Sequence, residues 1–259
     1  MGNSIAAKVL RNSGQWLLKQ SGTEVRDPAL MDDPVFTELY ARCEPFTMTS
    51  RERLFALFSA CMHIVDAKME GAFVECGVWK GGSAMMMAAC LKHRGIIDRD
   101  LYLFDTFEGM SKPEDIDRTF TGERASGTFE QTAIAEDASD WCRSPYEEVL
   151  NNMASTGYPT ERIHLVKGKV EDTLPSALPA QRIALLRLDT DWYSSTRHEL
   201  VHLYPRLVQH GVLIIDDFGH WEGARKAVLE YFSEHGVHML LNRIDYTGRI
   251  GIKSDGPMG

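Results

Sequence analysis

The sequence predicts an α/β fold, a mostly parallel sheet covered on both faces and ended by an antiparallel C-terminal hairpin strand. Three observations carry that expectation. Five short, largely apolar runs follow one another, most of them separated by segments long enough for helical crossovers. Two last runs are separated only by Tyr246 and Thr247, which permits a hairpin and no crossover. Two of the apolar runs also end in pairs of aspartates, and the carboxyl ends of strands are where open α/β sheets place their ligands.

Residues 1–45 are weakly periodic. "GQWLLKQ" and "PVFTELYARC" read as short amphipathic helices of an N-terminal arm, and residues 46–259 as the main domain. Thr49 followed by Glu52 has capping-box spacing, and Leu54, Phe55, Phe58, Cys61, Met62 and Val65 then recur at helical intervals. The five runs are "AFVECGV" at 72–78, "LYLFDT" at 101–106, "RIHLVKG" at 162–168, "IALLRLD" at 183–189 and "GVLIIDD" at 211–217. A helix is expected over "GARKAVLEYFSEHG" at 223–236, before the final runs "HMLLNRID" and "GRIGIKS". Met85–Met87 fit the core face of the first crossover helix. Residues 111–157 are too long for a plain connection and read as a mobile segment near the site followed by a helix.

Composition narrows the function. A formal net charge of −9 and the lack of any Lys/Arg-rich run argue against nucleic acid as the main partner. Five cysteines without a CxxC pair read as buried thiols of a reducing cytoplasm. The most apolar stretch, "SAMMMAACL", is far shorter than the ~20 residues that span a bilayer, so no membrane partner is expected. His198 and His202 stand at i and i+4 without an HExxH acid and are given no metal.

Two constellations carry chemistry. In "VECGVWKGGSAMMMAACL", Glu75 ends a strand, glycines follow at 77, 81 and 82, and Ser83 opens an apolar helix. Such a turn exposes unpaired N–H groups at a helix N-terminus and suits an anion. The dinucleotide pattern GxGxxG is absent, which disfavours an NAD-linked dehydrogenase. Asp105 ends the next strand, where an acid can accept from ribose hydroxyls, so the pair suggests a nucleoside carrying a small anionic group. The second constellation is four aspartates at the carboxyl ends of two strands, Asp189 and Asp191, then Asp216 and Asp217, with Asp216 expected at an exposed end. They call for a cation, a proton or a basic ligand. Extended geometry would turn Asp189 and Asp191 to one face and would need a bend after Ile215 for Asp216 and Asp217 to converge.

"FVECGVWKGGSAMMMA", "LFDTFEGM", "TGYPTERIHLVKGKVEDTLP", "LLRLDTDWYSST" and "GVLIIDDFGHWEGARKAV" together resemble the macrocin- and mycinamicin-type O-methyltransferases and their aminocoumarin relatives, from about Phe46 to Lys253. The resemblance implies a Rossmann-like class I methyltransferase fold and S-adenosylmethionine as donor. Its amino-acid end would lie at the turn containing Glu75, Gly77, Gly81 and Ser83, its ribose at Asp105 and its adenine near Val170 and Glu171. It further implies Mg²⁺ held by Asp189, Asp216 and Asp217, with Asp191 as catalytic base, and a hydroxyl of a deoxysugar or other glycosylated small molecule as acceptor. A homo-oligomer is the family's habit. The rival readings are a catechol-type O-methyltransferase acting on vicinal phenols and a noncatalytic nucleoside-binding protein, which would have no use for a base beside a metal.

Overall fold

The computed structural model of the chain describes residues 33–254, so "GQWLLKQ" lies outside the described residues. The chain divides after Glu38, and the fold that follows is that of the part from Leu39 onward. Helix α1 runs Pro34–Cys43 and α2 runs Arg51–Asp66. The cap of α2 is Ser50 rather than Thr49: Ser50 Oγ accepts from Arg53 N at 3.2 Å. Its buried stripe is Leu54, Leu57, Phe58, Ala60, Cys61 and Ile64, whereas Phe55, Met62 and Val65 are only half-buried, a small rotation of the expected face.

The strands are β1 Ala72–Cys76, β2 Leu101–Asp105, β5 Ile163–Lys167, β6 Ile183–Leu188 and β7 Leu207–Ile215, with β8 Asn242–Arg243 and β9 Arg249–Ile252 at the C-terminus. They form one sheet in the order β5-β2-β1-β6-β7-β9-β8. The first five in that order are parallel, β9 runs antiparallel to β7, and β8 antiparallel to β9. This is the expected architecture, and it is Rossmann-like. The hairpin turn is built on Asp245, whose Oδ1 accepts from Thr247 N at 2.9 Å and Gly248 N at 2.7 Å. Only two residues of "HMLLNRID" enter the sheet.

Helices α3 (Gly82–His93) and α7 (Tyr193–Leu203) follow β1 and β6, and α8 (Glu222–Glu234) follows β7. Met85, Met86 and Met87 are buried, as expected of a crossover helix packed on the sheet. The core between α7, α8 and the sheet gathers Val74, Phe104, Leu186, Leu188, Leu200, Leu213 and Val228. The order of strand addition reverses between β1 and β6, running outward from there both ways, and that switch point is where a crevice opens at the carboxyl ends.

Residues 111–157 are folded: α4 (Ala125–Thr132), a small hairpin of β3 (Ala133–Ala135) and β4 (Ala138–Ser139), and α5 (Tyr146–Ser155). Buried Asp117 ties this segment to the main fold, accepting from Glu114 N at 2.8 Å and from Tyr193 N, at the start of α7, at 2.9 Å. A Cβ on Gly223 would sit 1.9 Å from Asp117 Oδ1, so α8 can approach that carboxylate only with glycine there.

At Gly77, just past the end of β1 and with φ +82°, an added Cβ would fall 1.9 Å from the Asp189 carbonyl oxygen. Gly77→Ala therefore combines left-handed strain with a backbone clash and should destabilise by more than about 2 kcal/mol. A urea midpoint indistinguishable from the parent's would show that the ends of β1 and β6 are not locked together.

Candidate active site

Three backbone elements converge on the crevice. The first is the turn after β1, where Trp79 has φ +48° and Gly81, φ +92°, caps α3. Asp105 holds this turn from the next strand. Its Oδ2 accepts from Val78 N at 2.7 Å and Trp79 N at 3.0 Å, and its Oδ1 from Phe107 N at 2.7 Å. Thr106 Oγ1 adds a longer fourth contact, 3.5 Å from Oδ1, so the four acceptor positions of Asp105 organise its own surroundings. Burial pushes its pKa above the usual carboxylate range, against the pull of those N–H groups.

The second element is the end of β6, and its centre is Arg187, which is 2% exposed in the middle of an apolar strand. Arg187 Nη1 donates to Glu75 Oε1 at 2.5 Å and contacts Asp189 Oδ2 at 2.8 Å, while Nη2 donates to Asp216 Oδ1 at 2.7 Å and to Thr49 Oγ1 at 3.2 Å. Glu75 and Arg187 are cross-strand partners in register, which is why the pair forms. Asp216 is also paired with Arg53, whose Nε lies 3.0 Å from Asp245 Oδ2. Burial opposes the charge on Arg187, but Asp189, Asp216 and Glu75 outweigh it and hold its pKa well above the ordinary value. Glu75 is pushed up to about 7 by burial despite Arg187.

The third element is the pair of acid turns. Strand β6 stops at Leu188, and Asp191 takes φ +69° with Trp192 N donating to Thr190 O at 2.8 Å across it. A tight left-handed turn, not strand alternation, therefore aims these side chains. Asp is among the residues that tolerate this conformation, which costs L-residues in general about 1–2 kcal/mol. Strand β7 stops at Ile215, and the next two acids diverge: Asp216 faces the arginines, and Asp217 joins Asp189 and Asp191. One oxygen from each of these three carboxylates lies within 4.8 Å of the others. Burial first, then mutual repulsion, raises Asp189 and Asp217 well above the ordinary range and Asp191 to about 7. Asp217 Oδ2 is buried without a hydrogen-bond partner among the described residues.

These groups line one cavity of about 400 Å³. Gly77, Ser83, Asp105, Val170 and Glu171 line it with Asp189, Asp191, Asp216 and Asp217, whereas Glu75 and Gly81 lie behind it, one holding Arg187 and the other capping α3. Residues 46–49 and Met110, Ser111, Trp141 and Cys142 close other parts of the wall, so the segment after β2 does stand at the site. Trp141, Trp192 and Trp221 meet edge to face with centroids 5.1–6.1 Å apart, and Trp192 is core while the other two reach the cavity. His220 and the half-exposed Tyr246 line it as well, with Phe120 6.1 Å from both rings.

The expectation that Asp216 stands at an exposed strand end is overturned: it is 3% exposed, and both its oxygens are taken by guanidiniums. Sequence reasoning also passed over Arg53, Arg187, Asp117 and Glu199. The signal for Arg187 was present, since a lone arginine inside "IALLRLD" has to find acids on its neighbours.

A pH dependence follows. Glu75, Asp105, Asp189, Asp191, Asp217 and Glu199 all have raised pKa values, burial being the first cause of each. A carboxyl raised in the folded state stabilises below its unfolded pKa and loses that contribution as pH rises through the folded one. Burial lowers His202 and His220, which work in the opposite direction but are fewer. In a chelator the urea midpoint should therefore fall between pH 5.5 and 8, and a midpoint that rises over that range would contradict the buried-carboxyl arrangement.

Residues 30–250 match the family model described as Macrocin-O-methyltransferase (TylF). The chain is 34% identical over 202 residues to 8-demethyl-8-(2,3-dimethoxy-alpha-L-rhamnosyl)-tetracenomycin-C 4'-O-methyltransferase of Streptomyces olivaceus, covering 78% of this chain and 73% of that one. It is 32% identical to mycinamicin III 3''-O-methyltransferase of Micromonospora griseorubida, covering 78% and 76%. Among solved structures it is similar to the O-methyltransferase NovP, with TM-score 0.69, 26% identity and coverage of 81% and 82%. The glycine turn, the acid-lined crevice and these similarities agree, and the chain belongs to the macrocin O-methyltransferase (TylF) family, a family of methyltransferase enzymes.

Proposed function

We propose that the protein transfers a methyl group from S-adenosylmethionine to a sugar hydroxyl of a glycosylated natural product, assisted by Mg²⁺. The observation that carries this reading is the convergence of Asp189, Asp191 and Asp217 in the cavity that Gly77, Ser83 and Asp105 also line. The relatives' named acceptors, a rhamnosylated tetracenomycin and mycinamicin III, support a glycoside. Charge supports it too. The lining arginines and lysine, Arg53, Lys169 and Arg187, are each already paired with a carboxylate, which leaves no unpaired one among them for the diphosphate of a nucleotide sugar.

The residues fit a hard cation: three carboxylates within mutual reach, one with a buried oxygen lacking any partner. Asp189 and Asp217 would hold it, and Asp216 could add a third carboxylate only by leaving Arg53 and Arg187. Such an ion lowers the pKa of an alcohol bound beside it, and the donor presents an electrophilic methyl on sulfur. Asp191, ionised, takes the proton of the acceptor hydroxyl. The α3 N-terminus and Ser83 hold the donor's amino-acid end, Asp105 accepts from its ribose in place of the long Thr106 contact, and Val170 and Glu171 border the adenine.

Two experiments test the reading. Incubation with S-adenosylmethionine, Mg²⁺ and a panel of demethylated glycosides, catechols and nucleotide sugars should give a mass gain of one methyl group on glycosides alone. Methylation confined to catechols would replace the assignment. Asp191→Asn should lower kcat by about 10²–10⁴ while changing the Mg²⁺ requirement little. Restoration of kcat by excess Mg²⁺ would make Asp191 a ligand and not the base.

A further inference from the structure

Glu199, on α7, is a carboxyl with 0% exposure that the proposed chemistry does not touch. Its helix neighbours Leu200 and Leu203 are apolar core, and leucine at 199 would satisfy packing alone. A buried carboxyl is costly unless it is used, and here Oε1 accepts from Thr190 Oγ1 at 2.8 Å, and the carboxyl also has a hydrogen-bond contact with Cys76 at the end of β1.

Thr190 stands between Asp189 and Asp191, at the start of the left-handed turn. Every residue flanking Asp191 is pinned from outside. Ser195 Oγ donates to Thr190 O at 3.3 Å and Trp192 O at 3.2 Å, the Trp192 indole donates to Ser111 O at 3.0 Å, and Tyr193 N donates to Asp117 at 2.9 Å. On the Thr190 side chain the only such restraint is Glu199. Asp189, one residue earlier, is fixed by its own N–H to Cys76 O at 2.8 Å, so the Thr190 hydroxyl sets how the two carboxylates stand relative to each other.

We infer that Glu199 is a positioning residue: through the Thr190 hydroxyl it fixes the turn that brings Asp191 beside Asp189 and Asp217. The inference rests on the proposed cation site for its consequence but not for its geometry. Burial, before any other cause, raises its carboxyl well above the ordinary range. A glutamine would serve the same contact.

The test uses the full chain with Mn²⁺ as probe, titrated by electron paramagnetic resonance, and hydrogen exchange of the backbone over residues 189–193. Thr190→Val and Glu199→Leu should each weaken Mn²⁺ binding at least about tenfold, the usual effect of losing a partner that orients a ligand. Both should speed exchange over 189–193 by a similar factor, with S-adenosylhomocysteine affinity unchanged and the double variant no worse than either single one. Glu199→Gln should stay within about threefold of the parent. Parent-like exchange over 189–193 in Thr190→Val, or a general loss of stability without that local change, overturns the inference. Failure of the parent itself to bind Mn²⁺ would instead overturn the cation site, and the exchange measurement would still decide the role of Glu199.

Discussion

One buried guanidinium organises the crevice. Arg187 sits in the middle strand of the switch point, and three acids and a threonine from four different parts of the chain are drawn to it: Glu75 from β1, Asp189 beyond β6, Asp216 beyond β7 and Thr49 ahead of α2. Removing one partner from a buried, hydrogen-bonded charge pair costs about 3–5 kcal/mol, because the remaining charge is left in a poor solvent. The carboxyl ends of three adjacent strands and the start of a helix are thereby held in one relative position. Arg53 extends the same network to Asp245 in the C-terminal hairpin, so the antiparallel end of the sheet is fastened to the site as well.

That framework divides the labour among the acids. Glu75 and Asp216 spend their charge on arginines and act as structure. Asp105 does similar work with backbone N–H groups, shaping the glycine turn that opens α3. Among the described residues, Asp191 and Asp217 are left without a cationic partner, and Asp189 shares one already engaged twice over. Position in the network, rather than residue type, separates supporting carboxylates from available ones.

Much of this was legible in the sequence, because periodicity reports burial. The five parallel strands, their helical crossovers and the antiparallel ending follow from apolar runs and the gaps between them, and the glycine turn and four aspartates stand where those runs stop. What was not legible depends on three-dimensional pairing. Thr49 has the spacing of a cap, yet Ser50 caps α2 and Thr49 binds Arg187, a choice decided by a strand 138 residues away in sequence. Adjacent Asp216 and Asp217 are chemically identical in the sequence, and only the location of two arginines assigns one to an ion pair and the other to the cavity. The helix that ends residues 111–157 was legible, but the stretch before it was not, since Asp117 and the tryptophan cluster hold it through contacts with α7 and α8.

The charge balance at the strand ends argues for what the crevice is built to receive. Five carboxyls, Glu75, Asp189, Asp191, Asp216 and Asp217, face two guanidiniums, one of which is shared with Asp245. Burial first, and then their mutual repulsion, raises the pKa of Asp189, Asp191 and Asp217 together, and a further positive charge would oppose both. A divalent ion would relieve the same excess without protons and return Asp191 to its ionised, proton-accepting form. The donor's sulfonium would add a further favourable charge as it enters the same cavity. An apolar crevice of equal size would have folded more easily, so the excess of buried acid is best understood as a cost retained for binding cations and moving one proton.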